Sequence, residues 1–515
     1  MLPDLAASEA IGALLPEYHV EPRAQQALQA VYFDTADLRL ARWGVTLRHR
    51  RGEAGGDGWT VKFPQSTSGA VLARREVYVA GRAGRVPRDV ANKVTALVRN
   101  VPLEAVAKLV TLRRGILLID QHGDVVVDVV DDEVSVYEGR RLISRFREIE
   151  VELGPGADPR ILETVVAILV EAGASPTDPI PKIVRALGVR ADEPPDVVAR
   201  RIPKKASVAA LVANAFNSAA LSLVQCDPAI RLGDHIEDVH QARVATRTLR
   251  SNLGTFRTIL DPTRYALLRD EVAWLGRALG AVREADVLHD RLRQLLARLS
   301  AGDAERGSAL LDLLGQGRAA ARAELLKSME SSRYVTLVDS LIAAADQPPL
   351  APIVCHEPGE AADHQAMSAE KVTGDVIAGD QPARDKAAAL VVGPWRCLER
   401  AVKRLGDDPP DESLHRLRIK AKRCRYAAEA VADVAGRPAV KLAKAVARLQ
   451  TVLGEHQDAV VAETWLRAEA ARGTIDPLVA GQLVMLQRIE AQTKRDQWKS
   501  VWKDVRSSNL SGWLD

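Results

Sequence analysis

The sequence HQARVATRTLR, residues 240–250, recurs later in the chain, and this repeat predicts the fold of the C-terminal part. A second copy, HRLRIKAKRCR, spans residues 415–425 and keeps the histidine and three basic residues at the same offsets. Each copy is followed by a Leu-Gly segment, LGAVREADV at 279–287 and LGEHQDAVV at 453–461. Two matches in the same order predict duplicated helical units packed around a pseudo-two-fold axis.

Each repeated stretch predicts a narrow basic stripe on a helix. Offsets of 3, 7 and 10 residues from the histidine fall within an arc of about 80°. Like charges this close repel unless an anion or solvent screens them, so a regularly spaced polyanion is the natural ligand. A solvated basic helix is the alternative, and either histidine could instead satisfy a neighbouring polar group. The candidate polyanion-binding residues are His240, Arg243, Arg247, Arg250, His415, Arg418, Lys422 and Arg425.

The Leu-Gly segments are predicted to be structural. Their glycines would let helices approach closely, with Glu284 or Asp458 holding an arginine of a neighbouring stripe. Arg283 and Asp286 are within reach of the groove, but a core ion pair is the favoured interpretation.

Residues from about 31 to 153 are predicted to form antiparallel strands, because β-forming segments such as VYFDT and GWTVKF alternate with short Gly and Asp turns. No crossover helix separates most neighbours, which disfavours a parallel sheet. Residues two apart share one strand face and form two charged sets here: Arg48 with Arg50, and Glu148 with Glu150 and Glu152. A closed barrel with a charged interior would explain these sets.

Composition shifts predict the domain limits. The Pro-rich, charged stretch 191–205 is predicted to be a linker between a β domain at 1–190 and an all-α domain at 206–515. The stretch 347–384 lacks periodicity and contains scattered Pro and Gly, so it is predicted to be a flexible insertion within the helical part.

Length and composition fit a multidomain globular protein. The chain has 515 residues, 47% of them hydrophobic and 27% charged, which excludes wholesale disorder. Lys plus Arg number 71 against 68 for Asp plus Glu, so functional charge has to be locally concentrated. Four separated cysteines exclude a CxxC zinc site and a disulfide framework and fit a reducing compartment. No signal peptide and no long apolar run is readable, so a cytoplasmic location without a membrane partner is expected.

The helical part resembles the CHAD family (conserved histidine α-helical domain) over roughly residues 205–510, through the two His-x2-Arg-x3-[Arg/Lys]-x2-Arg helices and their Leu-Gly segments. That resemblance implies a pair of four-helix units associated with binding of inorganic polyphosphate. It agrees with the two basic stripes.

The strand region resembles the CYTH family, the triphosphate tunnel metalloenzymes that include thiamine triphosphatases, inorganic triphosphatases and class IV adenylate cyclases. The matching segments are YFDT (32–35), TLRHRR (46–51), WTVKFP (59–64), RREV (74–77), LVTLRRG (109–115), DVVDDEVSV (128–136), REIEVEL (147–153) and PKIVRAL (181–187). The resemblance implies an eight-stranded antiparallel tunnel lined with Arg and Lys, in which carboxylates hold a divalent metal.

Residue types at the matching positions suit a triphosphate. Several fixed cations are needed for so highly charged a ligand, and the resemblance assigns this role to Arg48, Arg50, Lys62, Arg74, Arg113 and Lys182. Hard divalent metals prefer oxygen ligands, so Mg²⁺ or Mn²⁺ is expected at a metal-binding and catalytic set of Glu148, Glu150 and Glu152. Arg48 and Arg50 on an exposed strand face are the alternative.

One feature of the CYTH family is missing from the sequence. The family opens with E-x-E-x-K on its first strand, and no such motif precedes YFDT. The segment LPDLAASEAI is similar to the segment that follows that strand. We therefore expect the in-frame codons upstream of Met1 to encode the motif. A degenerate binder with an open tunnel wall is the alternative.

These observations predict a two-domain α+β protein that binds inorganic polyphosphate through its helical part and binds or hydrolyses a triphosphate-containing small molecule in the tunnel. A noncatalytic polyphosphate-associated scaffold is the alternative. A nucleic-acid binder is disfavoured, because stacking aromatics should separate the cations and only Tyr426 is near. The sequence does not rank triphosphate against thiamine triphosphate, and adenylate cyclase is a weaker reading.

Overall fold

The computed structural model describes residues 6–52, 56–64, 74–176, 180–233, 236–352, 377–507 and 510–514. The chain divides into two compact units, Met1–Asp196 and Val197–Asp515. The first contains an antiparallel sheet and the second is helical, which confirms the predicted fold class. Within the predicted linker, Asp196 forms an ion pair with Arg99 in the first unit. Residues 353–376 of the predicted insertion lie outside the described residues.

The first unit is built on a seven-stranded sheet with the order β4-β3-β2-β1-β5-β6-β7, and every neighbouring pair in it is antiparallel. The strands are β1 His19–Asp34, β2 Thr46–Arg51, β3 Gly58–Pro64, β4 Arg74–Ala80, β5 Glu104–Ile119, β6 Val125–Glu138 and β7 Arg141–Leu153. The helices of this unit are α1 Ala6–Leu14, α2 Arg39–Arg42, α3 Arg88–Ala91, α4 Thr95–Val98, α5 Pro159–Glu171 and α6 Lys182–Leu187.

Helices cover the sheet because its strands carry apolar residues on both faces. Ile11 of α1 and Ile168 of α5 belong to one buried cluster with Leu118, Val127 and Val129 of β5 and β6. On the other side, Ile183 of α6 packs with apolar residues of β1, β5 and β6. We call this second side the inner face; Tyr32, Arg48, Leu109, Arg113 and Asp132 lie on it. α6 therefore brings its first residue, Lys182, to the inner face.

The first strand is longer than predicted. It begins at His19, whereas the sequence pattern places the first strand near residue 31, and it pairs with β5 from His19 onward. The missed half contains Pro22 and a register shift between Arg23 and Gln26, which hide the alternation. The helix α1 precedes this strand.

The predicted barrel is not closed by strand pairing. In the described part of the first unit the ladders run from β4 to β7, and none joins these two end strands. Closure would need pairing or another strand between β4 and β7, but the next described element after β7 is the helix α5, which begins with an Asp158 cap and Pro159. Among the described residues the sheet has seven strands, where the family resemblance implies eight.

The second unit contains two similar helical groups. Its helices are α7 Val208–Leu232, α8 Ile236–Thr255, α9 Pro262–Leu296, α10 Ala301–Arg306, α11 Ser308–Met329, α12 Ser332–Asp346, α13 Ala383–Lys403, α14 Asp411–Ala430, α15 Ala432–Ala435, α16 Arg437–Arg472 and α17 Pro477–Ser507. The repeated stretches lie on α8 and α14, and their Leu-Gly segments lie on α9 and α16. α8 packs on α9, α14 packs on α16, and α8 also contacts α14. The two basic helices therefore meet.

One helix among the described residues, α7, is long and apolar enough by length and composition to cross a membrane. Half of its most apolar window is buried inside the protein, and Asp227 within it forms an ion pair with Arg231 at 2.8 Å. A buried core helix passes the same test, so this finding is weak evidence for a membrane span.

Candidate anion-binding sites

Strands β1 and β2 place a buried arginine against a buried tyrosine on the inner face. Arg48 and Tyr32 are direct neighbours in the ladder, and Arg48 Nη1 donates a hydrogen bond to the Tyr32 hydroxyl over 3.2 Å. Burial would raise the pKa of Tyr32, but the charges of Arg48, Arg50 and Lys182 outweigh it and lower that pKa. The electrostatic potential around Tyr32 is therefore positive.

A small cavity of about 10 Å³, room for about one water molecule, lies on the inner face beside Tyr32. Four of the six predicted triphosphate-binding residues line it: Arg48, Arg50, Arg113 and Lys182. Lys62 does not line the cavity and forms an ion pair at 2.7 Å with Glu76, its neighbour in the β3–β4 ladder. Arg74 begins β4, and its side chain lies outside the described residues. The structure thus gathers most of the predicted cations around one space.

Three carboxylates surround the Lys182 ammonium at the edge of this cavity. Lys182 Nζ lies 2.9 Å from Asp132 Oδ2, 2.6 Å from Glu148 Oε1 and 2.7 Å from Glu150 Oε1. Burial opposes its charge, but Glu150, Asp132 and Glu148 outweigh burial and raise the pKa of Lys182. Lys182 is therefore a charged group whose charge is neutralised within the fold.

Asp132 holds two of the predicted cations and was not predicted from the sequence. Arg113 donates to both of its carboxylate oxygens, Nε to Oδ1 at 2.8 Å and Nη2 to Oδ2 at 2.7 Å. Burial would raise the pKa of Asp132, but Arg113 and Lys182 outweigh it and hold that pKa below its usual value. The alternation of DVVDDEVSV puts Asp132 on the same face as Val130 and Val134, which is the signal that could have identified it.

The three predicted metal ligands do not come together at one point. Glu148 and Glu150 point at Lys182, and Glu148 also pairs with Arg185 at 3.2 Å, while Glu152 is exposed. Nowhere in the described ranges do three His, Cys, Asp or Glu side chains form a group that could hold a metal ion. The set as placed does not fit a divalent metal, because an ammonium already occupies the space between its carboxylates. The roles of Glu148, Glu150 and Glu152 as ligands stay a prediction.

The second unit contains a concentration of positive charge where α8 meets α14. We call it the basic cluster and define it as Arg243, Arg247, Arg250, Arg418 and Lys422. Within the described parts of the chain, no carboxylate oxygen lies within 4 Å of the charged nitrogens of these five side chains. Arg247 Nε donates to the Tyr426 hydroxyl over 2.5 Å, which ties α8 to α14. The two predicted stripes therefore form one surface.

Lys422 shows how strongly the cluster is charged. Burial, together with the positive charges of Arg418, Arg247, Arg243 and Arg250, lowers the pKa of Lys422 to about 8. The four arginines come from both copies of the internal repeat: Arg418 lies on α14 with Lys422, and the other three lie on α8. Both helices therefore act on the same ammonium group.

The glycines of the Leu-Gly segments make room for two arginines of the cluster. A Cβ atom at Gly280 would lie 3.1 Å from Arg243 Nη2, and one at Gly454 would lie 3.4 Å from Arg418 Nε. Each arginine thus lies flat over the backbone of the neighbouring helix, α9 or α16. This extends the structural role predicted for these glycines: the close approach is between a helix backbone and a guanidinium group.

The acidic residues of the Leu-Gly segments behave differently from one another. Asp286 forms the predicted core ion pair, with Arg318 Nε at 2.8 Å, and is buried. Neither Glu284 nor Asp458 forms an ion pair with Arg243 or Arg418 in the described residues, so that expectation is wrong. Burial, the largest influence, raises the pKa of Asp458 and outweighs the charges of Arg418, Arg291 and Arg283, which lower it.

The two repeated histidines and Arg425 have separate environments. His415 Nδ1 lies 3.0 Å from Gln457 Oε1 of the Leu-Gly segment, which is the polar-neighbour role left open above. Burial, the charge of Arg283 and that of Arg247 lower the pKa of His240. Arg425 pairs with Glu429 at 2.7 Å on its own helix, so its charge is partly neutralised. These three residues flank the basic cluster rather than belong to it.

Comparison with known proteins gives matches to both halves of the chain. The CYTH domain family model matches residues 4–183, and the CHAD domain family model matches residues 214–467. Two uncharacterized proteins of Mycobacterium tuberculosis, MT2285 of strain CDC 1551 and Rv2226 of strain H37Rv, are each 30% identical over 506 residues. Each alignment covers 94% of this chain and 91% of the relative.

Solved structures are similar to one half or the other. PptA from Streptomyces chartreusis is 23% identical with a TM-score of 0.44 and covers 58% of this chain and 99% of its own. The CHAD domain from the plant Ricinus communis is 23% identical with a TM-score of 0.43 and covers 59% of this chain and 94% of its own. HpAC1 from Hippeastrum, described as having a dominant triphosphatase activity, is 14% identical with a TM-score of 0.19 and covers 34% of this chain and 88% of its own.

The family matches agree with the order of the two units, a strand-rich unit first and a helical unit second. The chain therefore belongs to the family of proteins that join an N-terminal CYTH domain to a C-terminal CHAD domain.

Proposed function

We propose that this protein is cytoplasmic and binds inorganic polyphosphate through its CHAD domain, at the basic cluster. One observation carries the proposal: five cationic side chains from two packed helices have no carboxylate within 4 Å in the described residues. Such a surface is electrostatically unfavourable by itself and becomes favourable when an anion with closely spaced charges binds. Inorganic polyphosphate has one negative charge or more on each phosphate.

The surroundings of Tyr426 favour polyphosphate over nucleic acid. Its ring is 1% exposed, and two guanidinium groups lie over it, Arg247 at 5.8 Å and Arg425 at 5.3 Å from the ring centre. A ring that is buried and already stacked cannot offer a face to a base. The cluster therefore offers charge without a stacking platform.

The test measures binding of long-chain polyphosphate to the full-length protein over a range of salt concentrations. If about five cations each contact a phosphate, the logarithm of the affinity should fall with the logarithm of salt with a slope of roughly −3 to −4. Duplex DNA and single-stranded RNA are compared at equal phosphate concentration. Equal or tighter binding of either nucleic acid would contradict the proposal.

A second function is proposed for the inner face of the CYTH domain: binding of a triphosphate. The cavity that collects Arg48, Arg50, Arg113 and Lys182 supports it. In this structure Arg113 and Lys182 are held by Asp132, Glu148 and Glu150, so an incoming triphosphate has to compete with these carboxylates for both cations. Binding should therefore loosen the contact between α6 and the sheet.

The second proposal also includes hydrolysis of the bound triphosphate. The CYTH family is metal-dependent and the sequence predicts Mg²⁺ or Mn²⁺, but the described carboxylates as placed do not fit a metal ion, so the metal requirement is part of the test. The assay follows phosphate release from inorganic triphosphate and from thiamine triphosphate with either metal or with a chelator. Glu150→Gln should abolish release and leave polyphosphate binding intact, because the two sites lie in different units. No release from any triphosphate would favour the noncatalytic scaffold.

A further inference from the structure

Lys422 differs from the other members of the basic cluster because an amine can lose its proton and act as a nucleophile, whereas a guanidinium does not at ordinary pH. It is half-buried on α14, one turn after Arg418 and one turn before Tyr426. Tyr426 accepts the hydrogen bond from Arg247 of α8, so Lys422 lies on the face where the two basic helices meet.

The surroundings of Lys422 favour its neutral form. No carboxylate oxygen lies within 4 Å of its ammonium in the described residues, and four arginines act on it. Burial and these arginines lower the pKa of Lys422 to about 8, so about a tenth of these side chains are free amines at pH 7 and about half at pH 8. The same arginines form an anion-binding surface around that amine.

We propose that Lys422 is a site of acylation by small acyl phosphates. The phosphate group of such a molecule would bind the guanidinium groups that surround Lys422, which holds the acyl carbon beside the amine. The amine attacks that carbon, and an amide bond forms. The bond from the carbon to the bridging oxygen breaks, inorganic phosphate leaves with its electron pair, and the amine proton passes to phosphate or water.

The cluster favours this reaction in two ways that a surface lysine lacks. It supplies a neutral nucleophile, and its arginines stabilise the negative charge that grows on the departing phosphate. Lys420 is the matched comparison: it lies two residues away on the same helix, which places it about 200° around the helix axis from Lys422.

Acylation would also change ligand binding, and this consequence rests on the proposed polyphosphate function. It removes a charge from the centre of the basic cluster, so modified protein should bind polyphosphate several-fold more weakly. The acyl phosphate and polyphosphate would further compete for the same arginines. The CHAD domain would then respond to the supply of acyl phosphates.

The experiment treats the full-length protein with acetyl phosphate at pH 8 and maps acetylated lysines over time by mass spectrometry. Lys422 should react about ten-fold faster than Lys420. The neutral reagent p-nitrophenyl acetate is run in parallel and should show a smaller preference, because it has no phosphate for the arginines to bind. Equal rates at the two lysines, or an equal preference with both reagents, would overturn the proposal.

Two further arms separate this inference from the proposed function. Added long-chain polyphosphate should protect Lys422 from acetyl phosphate, and acetyl phosphate treatment should weaken polyphosphate binding in the natural protein but not in Lys422→Arg. Preferential acetylation of Lys422 without polyphosphate binding would uphold the reactive lysine and contradict the polyphosphate function. Polyphosphate binding without preferential acetylation would uphold the polyphosphate function and contradict the reactive lysine.

Discussion

Two lysines with similar partial burial, Lys182 in the CYTH domain and Lys422 in the CHAD domain, have pKa values that move in opposite directions. Burial by itself lowers the pKa of both. Three carboxylates raise the pKa of Lys182, whereas four arginines lower that of Lys422 further, to about 8. Burial acts in the same direction on both lysines, so the opposite signs of their shifts come from the neighbouring charges.

The difference extends to the two candidate sites as a whole. On the inner face of the sheet, Arg113 and Lys182 are neutralised by acids of β6 and β7, so the fold itself supplies the counter-charge. In the basic cluster the described residues supply none within 4 Å. The charges of Arg113 and Lys182 therefore stabilise the fold first, and a ligand can reach them only by displacing these acids. Charge in the basic cluster is available directly.

The largest expected effect comes from removing the cation of the inner face. Lys182→Met would leave Asp132, Glu148 and Glu150 facing one another without the ammonium, which should lower the free energy of unfolding of the first unit by about 3 kcal/mol. The measurement is chemical denaturation followed by tryptophan fluorescence, with the buried Trp59 as reporter. The double variant Lys182→Met with Glu148→Gln should recover part of the loss.

The pH dependence of this loss has a defined sign. Arg113 and Lys182 hold the pKa of Asp132 below its unfolded value, so its contribution is present above pH of about 4 and disappears as the pH falls through the lowered pKa. The pKa of Lys182 is raised, so its contribution disappears as the pH rises beyond about 10.4. The variant and the natural protein should differ most between these limits. A loss independent of pH would point to lost packing of α6 instead.

The second effect concerns the basic cluster. Arg243, Arg247 and Arg418 changed together to Gln should weaken polyphosphate binding by about 100-fold and reduce the salt slope by about 2 to 3, because each removes a phosphate contact. The free energy of unfolding should change little or rise, since the removed charges repel one another in the ligand-free protein.

A matched control removes arginines that are already paired. Arg467 and Arg488 both donate to Glu463, at 2.8 and 2.9 Å, and Arg472 pairs with Glu469. Changing these three to Gln removes the same net charge from the same domain. If this control weakened polyphosphate binding as much as the cluster variant, binding would depend on overall charge and not on the cluster.

The sequence was sufficient to predict the two-part architecture, because periodicity, the strand pattern and the internal repeat are properties of local composition. It also placed Arg243, Arg247, Arg418 and Lys422 on stripes, since the 3.6-residue period alone decides which side chains share a helix face. That the two stripes meet was not predictable from either helix. It depends on the packing of α8 on α14, which includes the hydrogen bond from Arg247 to the Tyr426 hydroxyl.

The ion pairs on the inner face could not be predicted from the sequence. Strand alternation correctly put Glu148, Glu150 and Glu152 on one side of β7, but it gave no information about what lies opposite them. Lys182 reaches Glu148 and Glu150 from a helix more than 30 residues later in the chain, and Asp132 reaches the same point from the neighbouring strand. Charge neutralisation is a property of tertiary packing, so the network could be found only in the structure.

A third and smaller effect is the pH dependence of polyphosphate binding. With a pKa of about 8 in the free protein, Lys422 loses its proton between pH 7 and 9, and a bound polyanion would favour the protonated form. The affinity should therefore fall as the pH rises through this range, by about three- to five-fold. Lys422→Arg should remove the dependence because a guanidinium stays charged. An unchanged slope in that variant would assign the titration to another group.

The smallest effect tests whether the Leu-Gly glycines position the cluster. A Cβ at Gly280 would lie 3.1 to 3.2 Å from three guanidinium atoms of Arg243, whereas at Gly454 its nearest contact with Arg418 is 3.4 Å. Gly280→Ala should therefore displace Arg243 by a few tenths of an ångström and weaken polyphosphate binding by about two-fold, with a smaller change for Gly454→Ala. Alanine is also the better helix former, by about 1 kcal/mol.

In Gly280→Ala the affinity for polyphosphate should therefore fall, while the free energy of unfolding stays the same or rises. Gly317→Ala on α11 is the control, because no atom lies within 4 Å of its added Cβ; it should gain helix stability without any change in binding. If Gly280→Ala lowered stability and affinity together, the glycine would serve the packing of α8 on α9, and the position of Arg243 would follow from that packing rather than from the space above Gly280.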